Sequence, residues 1–251
     1  MPLLPTPATD ADLKSVMQWL WAEEQDTGIG FWRNQQAIQK SFEEGRMRVL
    51  RSDDGVVAFI TGRPWYPEIL EVRPDCRGQG FGRVMAEHIR DQAIAAGACL
   101  IRIECQPPTS IPFWERMGFR LIDEDGDARY IGGHAYMPLP QISNDEAGSP
   151  IEVEIGLYPT ARLWGETAEP ILLSQQTARV REGRMHLPER VILISPKLDG
   201  DHDLALRIVV GGEQIFLDKV KREAAWELGV TADPGRTYFI DSLVAPDQIR
   251  I

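Results

Sequence analysis

Apolar residues at the start of the chain fall at helical intervals. Leu13, Val16, Met17 and Leu20 follow Thr9-Asp10-Ala11-Asp12, a polar run that reads as a helix N-terminus. A second helix is expected over about 34–44. The period then shortens to two. Runs 47–51 and 56–61 read as strands joined by Ser52-Asp53-Asp54-Gly55, whose Asp-Gly pair makes a hairpin. A third strand, 68–72, runs into Arg73-Pro74-Asp75-Cys76-Arg77-Gly78-Gln79-Gly80-Phe81-Gly82. Helical spacing returns with Met85, Ile89, Ala93 and Ala96 on one stripe and Gly97 as the stop. Strand 99–104 follows, then a short helix capped by Ser110 and reaching Met117, then strands 119–122 and 129–137. Pro2, Pro5 and Pro7 leave any strand ahead of the first helix only an edge position.

After residue 138 the pattern changes. Residues 138–150, rich in Pro, Ser, Asn, Asp and Gly, read as a linker. Short strands are expected at 151–157, 171–180, 190–194, 203–210 and 213–217, the last two joined by Gly211-Gly212. One helix over 219–228 and a strand near 238–240 close the chain. The expectation is a domain over 1–140, a link over 141–150, and a second, mostly antiparallel β domain over 151–251.

Composition narrows the class. The chain has 251 residues, 43% hydrophobic and 26% charged, which fits folded protein and not disordered, collagen-like or coiled-coil sequence. Apolar runs such as 56–60 are too short to span a bilayer, and the N-terminus lacks the basic start and apolar core of a secretory signal. Three cysteines without a CxxC spacing suggest neither a disulfide framework nor a zinc cluster. A cytoplasmic protein without a metal or a membrane partner is expected. The net charge is −11; residues 1–140 hold 15 basic and 20 acidic side chains, the remainder 12 and 18. Neither part is a basic domain of the kind that binds nucleic acid. An acidic surface suits an amine.

Against that acidic background the window 73–83 is net +2, from Arg73, Arg77 and Arg83 against Asp75. Glycines between a strand and a helix allow a tight turn and leave amide N–H groups uncovered at the positive end of the helix, a geometry that binds phosphate oxygens. The glycines at 78, 80 and 82 do not fit the dinucleotide fingerprint G-x-G-x-x-G, and no Walker Gly-Lys-Ser/Thr is present.

Arg77-Gly78-Gln79-Gly80-Phe81-Gly82, preceded by Val72-Arg73-Pro74-Asp75, resembles the R/Q-x-x-G-x-G/A signature of the GCN5-related N-acetyltransferase superfamily. About thirty residues on, the run Ser110-Ile111-Pro112-Phe113-Trp114-Glu115-Arg116-Met117-Gly118-Phe119 resembles the family's second motif, and Pro7-Ala8-Thr9-Asp10 its opening turn. Over residues 1 to about 140 the resemblance implies an α+β fold, with a mixed, mostly antiparallel central sheet flanked by helices. It implies acetyl-CoA as cosubstrate and direct transfer of the acetyl group to the primary amine of a small molecule or peptide. Leu70 and Val72 would pair with the pantetheine arm. Arg77 and Gly78 would lead into amides of Gln79, Gly80, Phe81 and Gly82 that hold the pyrophosphate, and Phe113 would line the opposite wall.

Direct transfer needs a base for the ammonium, donors for a tetrahedral oxyanion and a proton for the leaving thiolate. The Val72 N–H would serve the oxyanion. Alternation on 101–104 puts Arg102 and Glu104 on one face, and Glu104 also sits where the ribosomal-protein acetyltransferases carry a glutamate; it is the first candidate base. Glu68, near the position used by histone-type members, is the second, with Glu71 close by. Where many members have a tyrosine acid this chain has Trp114, so Tyr130, Tyr136 or water would have to serve. Trp19, Trp21, Phe31 and Trp32 read either as an aromatic wall for the acceptor or as core. His88 is expected to pack on the sheet, Cys76 to be incidental, and 199–203 to form a charged turn. Three roles are open to the second domain: binding the acceptor, dimerisation, or extension of the sheet across the cleft. Two other readings stay open: a non-catalytic CoA-binding sensor or scaffold, and a two-domain protein whose β domain binds a peptide or glycan.

Overall fold

The computed structural model describes residues 3–121, 133–140, 147–194 and 204–246. These fall into two compact units that divide at residue 138. Among them no helix is long and apolar enough to cross a membrane.

The first unit holds β1 (Thr6–Pro7), α1 (Asp10–Thr27), α2 (Gln35–Glu43), β2 (Arg48–Ser52), β3 (Gly55–Arg63), β4 (Tyr66–Val72), α3 (Phe81–Ala95), β5 (Leu100–Glu104), α4 (Ile111–Arg116), β6 (Arg120–Leu121) and β7 (His134–Pro138). It is a mixed helix-and-sheet fold. Strands β1-β2-β3-β4 form one antiparallel sheet, and β5-β7-β6 a second. The prolines confine β1 to two residues at the edge, as their missing N–H groups require. α1 begins at the expected cap. The Thr9 hydroxyl accepts from Asp12 N, and the Asp12 carboxylate accepts from Thr9 N at 2.7 Å, a reciprocal capping box. Leu13, Val16 and Leu20 then bury against Val49, Phe59 and Ile69. Every residue of β3 from Val56 to Gly62 is buried, so α1, α2 and α3, which all pack against this strand, cover both of its faces. On α3, Met85, Ile89 and Ala93 are buried as the stripe predicts. Ala96 is exposed, because it falls beyond the last turn as the C-cap.

The second unit is strand-rich. β8 (Ser149–Tyr158), β9 (Leu172–Arg181), β10 (Arg184–Ile192), β11 (Ala205–Val210), β12 (Glu213–Lys219), β13 (Thr231–Ala232) and β14 (Tyr238–Val244) form one antiparallel sheet in the order β12-β11-β8-β9-β10-β14-β13. α5 (Glu223–Leu228) starts later than the expected 219 because Lys219 still pairs with Ala205 on β11. β10 begins six residues earlier than expected. Glu182 and Gly183, at φ 50° and 75°, make a tight turn that the sequence reading missed, since glutamate is uncommon in the left-handed region. Pro188 lies where the β10–β14 ladder skips between His186 and Val191, as a residue without an N–H must. The 199–203 turn lies outside the described residues.

Candidate active site

The two sheets of the first unit meet between β4 and β5, and there they part. Arg102 N donates to Trp65 O at 3.0 Å, below the start of β4. Farther along no ladder joins the two strands, although both are described. Register explains which backbone groups line the gap. Arg73 N donates to Val57 O at 2.9 Å, and Ala58 faces Val72 while Ile60 faces Leu70. In an antiparallel ladder, bonded and non-bonded pairs alternate, so Leu70 and Val72 direct their N–H and C=O groups away from β3. A cleft of about 1000 Å³ opens here.

The glycine loop closes one end of the cleft. Pro74–Cys76 makes a single 3-10 turn, Gly78 and Gly80 take φ of 78° and 87°, and α3 starts at Phe81 with no side-chain cap. The last amide donating within the 3-10 turn is Arg77 N, and the first inside α3 is Val84 N, bonded to Gly80 O at 3.2 Å. The six N–H groups from Gly78 to Arg83 therefore donate to nothing among the described residues. A Cβ on Gly78 or Gly80 would meet no atom within 4 Å; the positive φ, not crowding, is what calls for glycine there. At Gly82 the Phe113 ring would stand 3.5 Å from such a Cβ, so Phe113 closes over the loop from α4.

The arginines of this window are already partnered. Arg73 Nε donates to Asp75 at 2.7 Å, and the largely exposed Arg83 donates to Glu87 at 2.7 Å. Arg77 turns inward: its Nε donates to Val72 O at 3.1 Å, and its Nη2 reaches Glu71 Oε1 at 2.8 Å and Glu23 Oε1 at 2.5 Å. The positive end of the cleft is thus mainly the run of amides and the helix start. Burial pushes the Glu71 carboxyl above its ordinary range; Arg77 opposes the shift and the neighbouring Glu23 charge adds to it. Cys76 is buried, and its thiol is likewise pushed up by burial.

The structure brings most of the expected residues together. Leu70, Val72, Arg77 and Gly78 line the cleft, as do Gly80, Phe81, Gly82 and Phe113. Glu68 on β4 and Glu104 on β5 line it from its two walls, both exposed. Gln79 projects away, donating to Asp75 O at 3.3 Å. The Val72 N–H, expected to be open for an oxyanion, donates to Glu71 Oε1 at 3.1 Å. Tyr136 pairs with Arg120 across β6 and β7 and is not among the residues that line the cleft; Tyr130 lies outside the described residues. Of the aromatic group only Phe31 lines the cleft. Trp19 packs on Phe59 and Trp21 on Trp32, with ring centroids 5.7 and 5.0 Å apart. His88 is half-buried on α3, and burial lowers its pKa.

Two residues that the sequence reading did not single out for chemistry sit on the cleft wall. Ser110, expected to cap α4, has helical φ and ψ of −78° and −18° and makes no cap bond. A cap needs extended backbone to swing its oxygen over the first amides, and the preceding turn at Pro108–Ser110 has already wound the chain. Its Oγ is instead buried, without a partner among the described residues, on the same α4 face as Trp114 one turn on. The second is Glu23, near the end of α1, whose residue is 7% exposed. Only the fold could reveal it, since its partner Arg77 is 54 residues away.

Residues 13–119 match the model of the Acetyltransferase (GNAT) family. No curated protein matches the chain. Solved structures similar to it include a GNAT-family acetyltransferase from Bacillus cereus ATCC 10987, at 15% identity over 54% of this chain and 95% of that one, with a TM-score of 0.43. Another is an acetyltransferase from Thermus thermophilus, at 18% identity over 55% and 98%, with a TM-score of 0.42. A third is N-acetylglutamate synthase from Neisseria gonorrhoeae, complexed with coenzyme A and N-acetyl-glutamate, at 16% identity over 56% of this chain and 36% of that one, with a TM-score of 0.44. The segment from residue 13 to residue 119 is a GNAT acetyltransferase domain.

Proposed function

We propose that residues 1–140 transfer an acetyl group from acetyl-CoA directly to a primary amine, with 141–150 as a link to a second domain over 151–251. The observation that carries this reading is the run of six unspent N–H groups, Gly78 to Arg83, at the mouth of a cleft with an unpaired strand edge. Those amides suit a diphosphate, and the strand edge at Leu70, with Val72 once Glu71 and Arg77 release it, suits the amides of a pantetheine arm. That arm would lead the thioester between Glu68 on β4 and Glu104 on β5.

The chemistry follows from what stands there. The amine nitrogen attacks the thioester carbon, the C–S bond breaks, and the ammonium proton passes to a carboxylate. Glu104 is our first choice for that base and Glu68 the second. The oxyanion is met by an N–H on the cleft edge of β4: Leu70, or Val72 once Glu71 releases it. No tyrosine lines the cleft among the described residues; the Ser110 hydroxyl supplies the donor on the α4 wall, and the sulfur leaves as a thiolate hydrogen-bonded to it.

Incubation with acetyl-CoA and a panel of primary amines tests the reading, with thiol release and product mass as readouts. Acetylated amine with stoichiometric thiol is the expected result. CoA bound without turnover would leave a CoA-binding module. No CoA binding by calorimetry would remove the assignment of the loop.

A further inference from the structure

The acceptor side of the cleft is short of positive charge. Glu23 and Glu71 share the single Nη2 of Arg77, so two carboxylates meet one guanidinium. Glu23 Oε1 takes that bond; Glu23 is among the residues that line the cleft, and its Oε2 is buried with no partner among the described residues. A carboxylate oxygen stripped of water and left unbonded is unfavourable unless something else donates to it. Gly30 keeps the surroundings of that oxygen from closing further. A Cβ on Gly30 would stand 3.3 Å from Glu23 Oε2. The raised pKa of Glu71 is the same shortage seen from its neighbour. Two further carboxylates, Glu68 and Glu104, line the cleft, against Arg116 on α4 and, at the loop, Arg83 and the unspent amides.

We infer that Glu23 Oε2 anchors a second cationic group of the acceptor, so that the preferred substrate is a diamine or polyamine. This rests on the transferase reading above. An ammonium fits the position: it is compact, its three N–H donors can bridge Glu23 and Glu71, and it needs none of the planar geometry that a guanidinium would impose. One ammonium held there leaves the other end of a flexible chain free to reach the thioester between Glu68 and Glu104. The cleft then sorts its two substrates by charge, the polyanionic donor to the amides and the polycationic acceptor to the carboxylates.

The test compares 1,4-diaminobutane and spermidine with 1-aminobutane at saturating acetyl-CoA. The diamine is expected to show at least a tenfold higher kcat/KM than the monoamine. In Glu23→Gln, which keeps an oxygen for Arg77 but loses the charge, that ratio should fall at least tenfold, while CoA affinity stays within about twofold. Equal kcat/KM for diamine and monoamine in the unaltered protein would overturn the proposal even if the variant did not fold. So would a ratio indifferent to Glu23→Gln. If no amine is acetylated, the transferase reading fails separately. Calorimetric titration with spermidine then decides the anchor by itself: binding that weakens in Glu23→Gln supports it, and no binding removes it.

Discussion

Arg77 Nη2 donates to Glu23 Oε1 at 2.5 Å, tying the end of α1 to the first residue of the glycine loop. The Glu23 side chain is 5% exposed and that of Arg77 49%, so the carboxylate is the desolvated partner. Removing the cation strands a buried charge, which costs more than the pair is worth. Arg77→Ala should therefore lower stability by about 1–3 kcal/mol, less than for a fully buried pair because the guanidinium is half in water. Urea melts should show a lower midpoint at an unchanged slope. Adding Glu23→Gln to Arg77→Ala should recover at least half of the loss; a double variant no better than the single one would mean the stranded charge is not the cause.

A second ion pair makes stability depend on acid. The Asp12 carboxyl is held down to about 2, first by hydrogen bonds from Arg51 and then by the Thr9 hydroxyl and amide, while burial works against them. Unfolded, it titrates near the ordinary 3.8. The folded state thus favours the ionised form, and the contribution is complete above 3.8 and lost as pH falls toward 2. Its size is about 1–2 kcal/mol, discounted because the Arg51 side chain is 37% exposed. Asp12→Asn should be less stable than the natural chain at neutral pH, and the gap should close on acidification through that window. Parallel stability curves for the two proteins would count against this role of the pair.

Gly80 precedes the first turn of α3 at φ +87°. Any Cβ there carries a strain of about 1–2 kcal/mol, although nothing stands within 4 Å to clash with it. The chain can relieve that strain by turning the peptide, which would re-aim the amides at 78–82. Gly80→Ala is expected to fold, with a small loss of stability, and to bind CoA at least tenfold more weakly. A folded variant with undiminished affinity would show that the diphosphate sits elsewhere.

Local signals in the sequence placed most of the first unit, because local physics decides those positions. The Thr9 cap, the Asp-Gly hairpin at 54–55, the edge position of β1 and the strand–loop–helix at 68–95 each depend on residues a few places apart. The resemblance of two motifs pointed to Leu70 and Val72 on one wall and Phe113 on the opposite one, and all three line the cleft. What escaped it depends on distance or on unusual backbone. Nothing in the sequence says that Arg77 turns away from the loop toward Glu23, because the choice is made by a helix 54 residues earlier. The Glu182-Gly183 turn was hidden by a residue type that rarely adopts positive φ, and the Ser110 cap failed because a 3-10 turn had already wound the chain. Tyr136 is a phenol at a sequence position that suits an acid, but its place on β7 leaves it out of the cleft lining.

Ser110 and Trp114 stand one turn apart on the cleft side of α4, and of the two only the serine hydroxyl can hydrogen-bond a sulfur anion well. A donor that acts on charge developing at the leaving group should affect kcat and leave the CoA KM nearly alone. Ser110→Ala is expected to lower kcat by roughly ten- to hundredfold, below the cost of losing one oxyanion-hole donor because a thiolate needs less help than an alkoxide-like oxyanion. The dependence on leaving group distinguishes this from a packing defect. A free thiol has a pKa of about 8.5, and a more acidic thiol needs less help as it departs. Acetyl thioesters of more acidic thiols should therefore narrow the gap between variant and natural chain. A constant deficit across thiols would make Ser110 a packing residue. An undiminished kcat would leave water as the group that meets the sulfur.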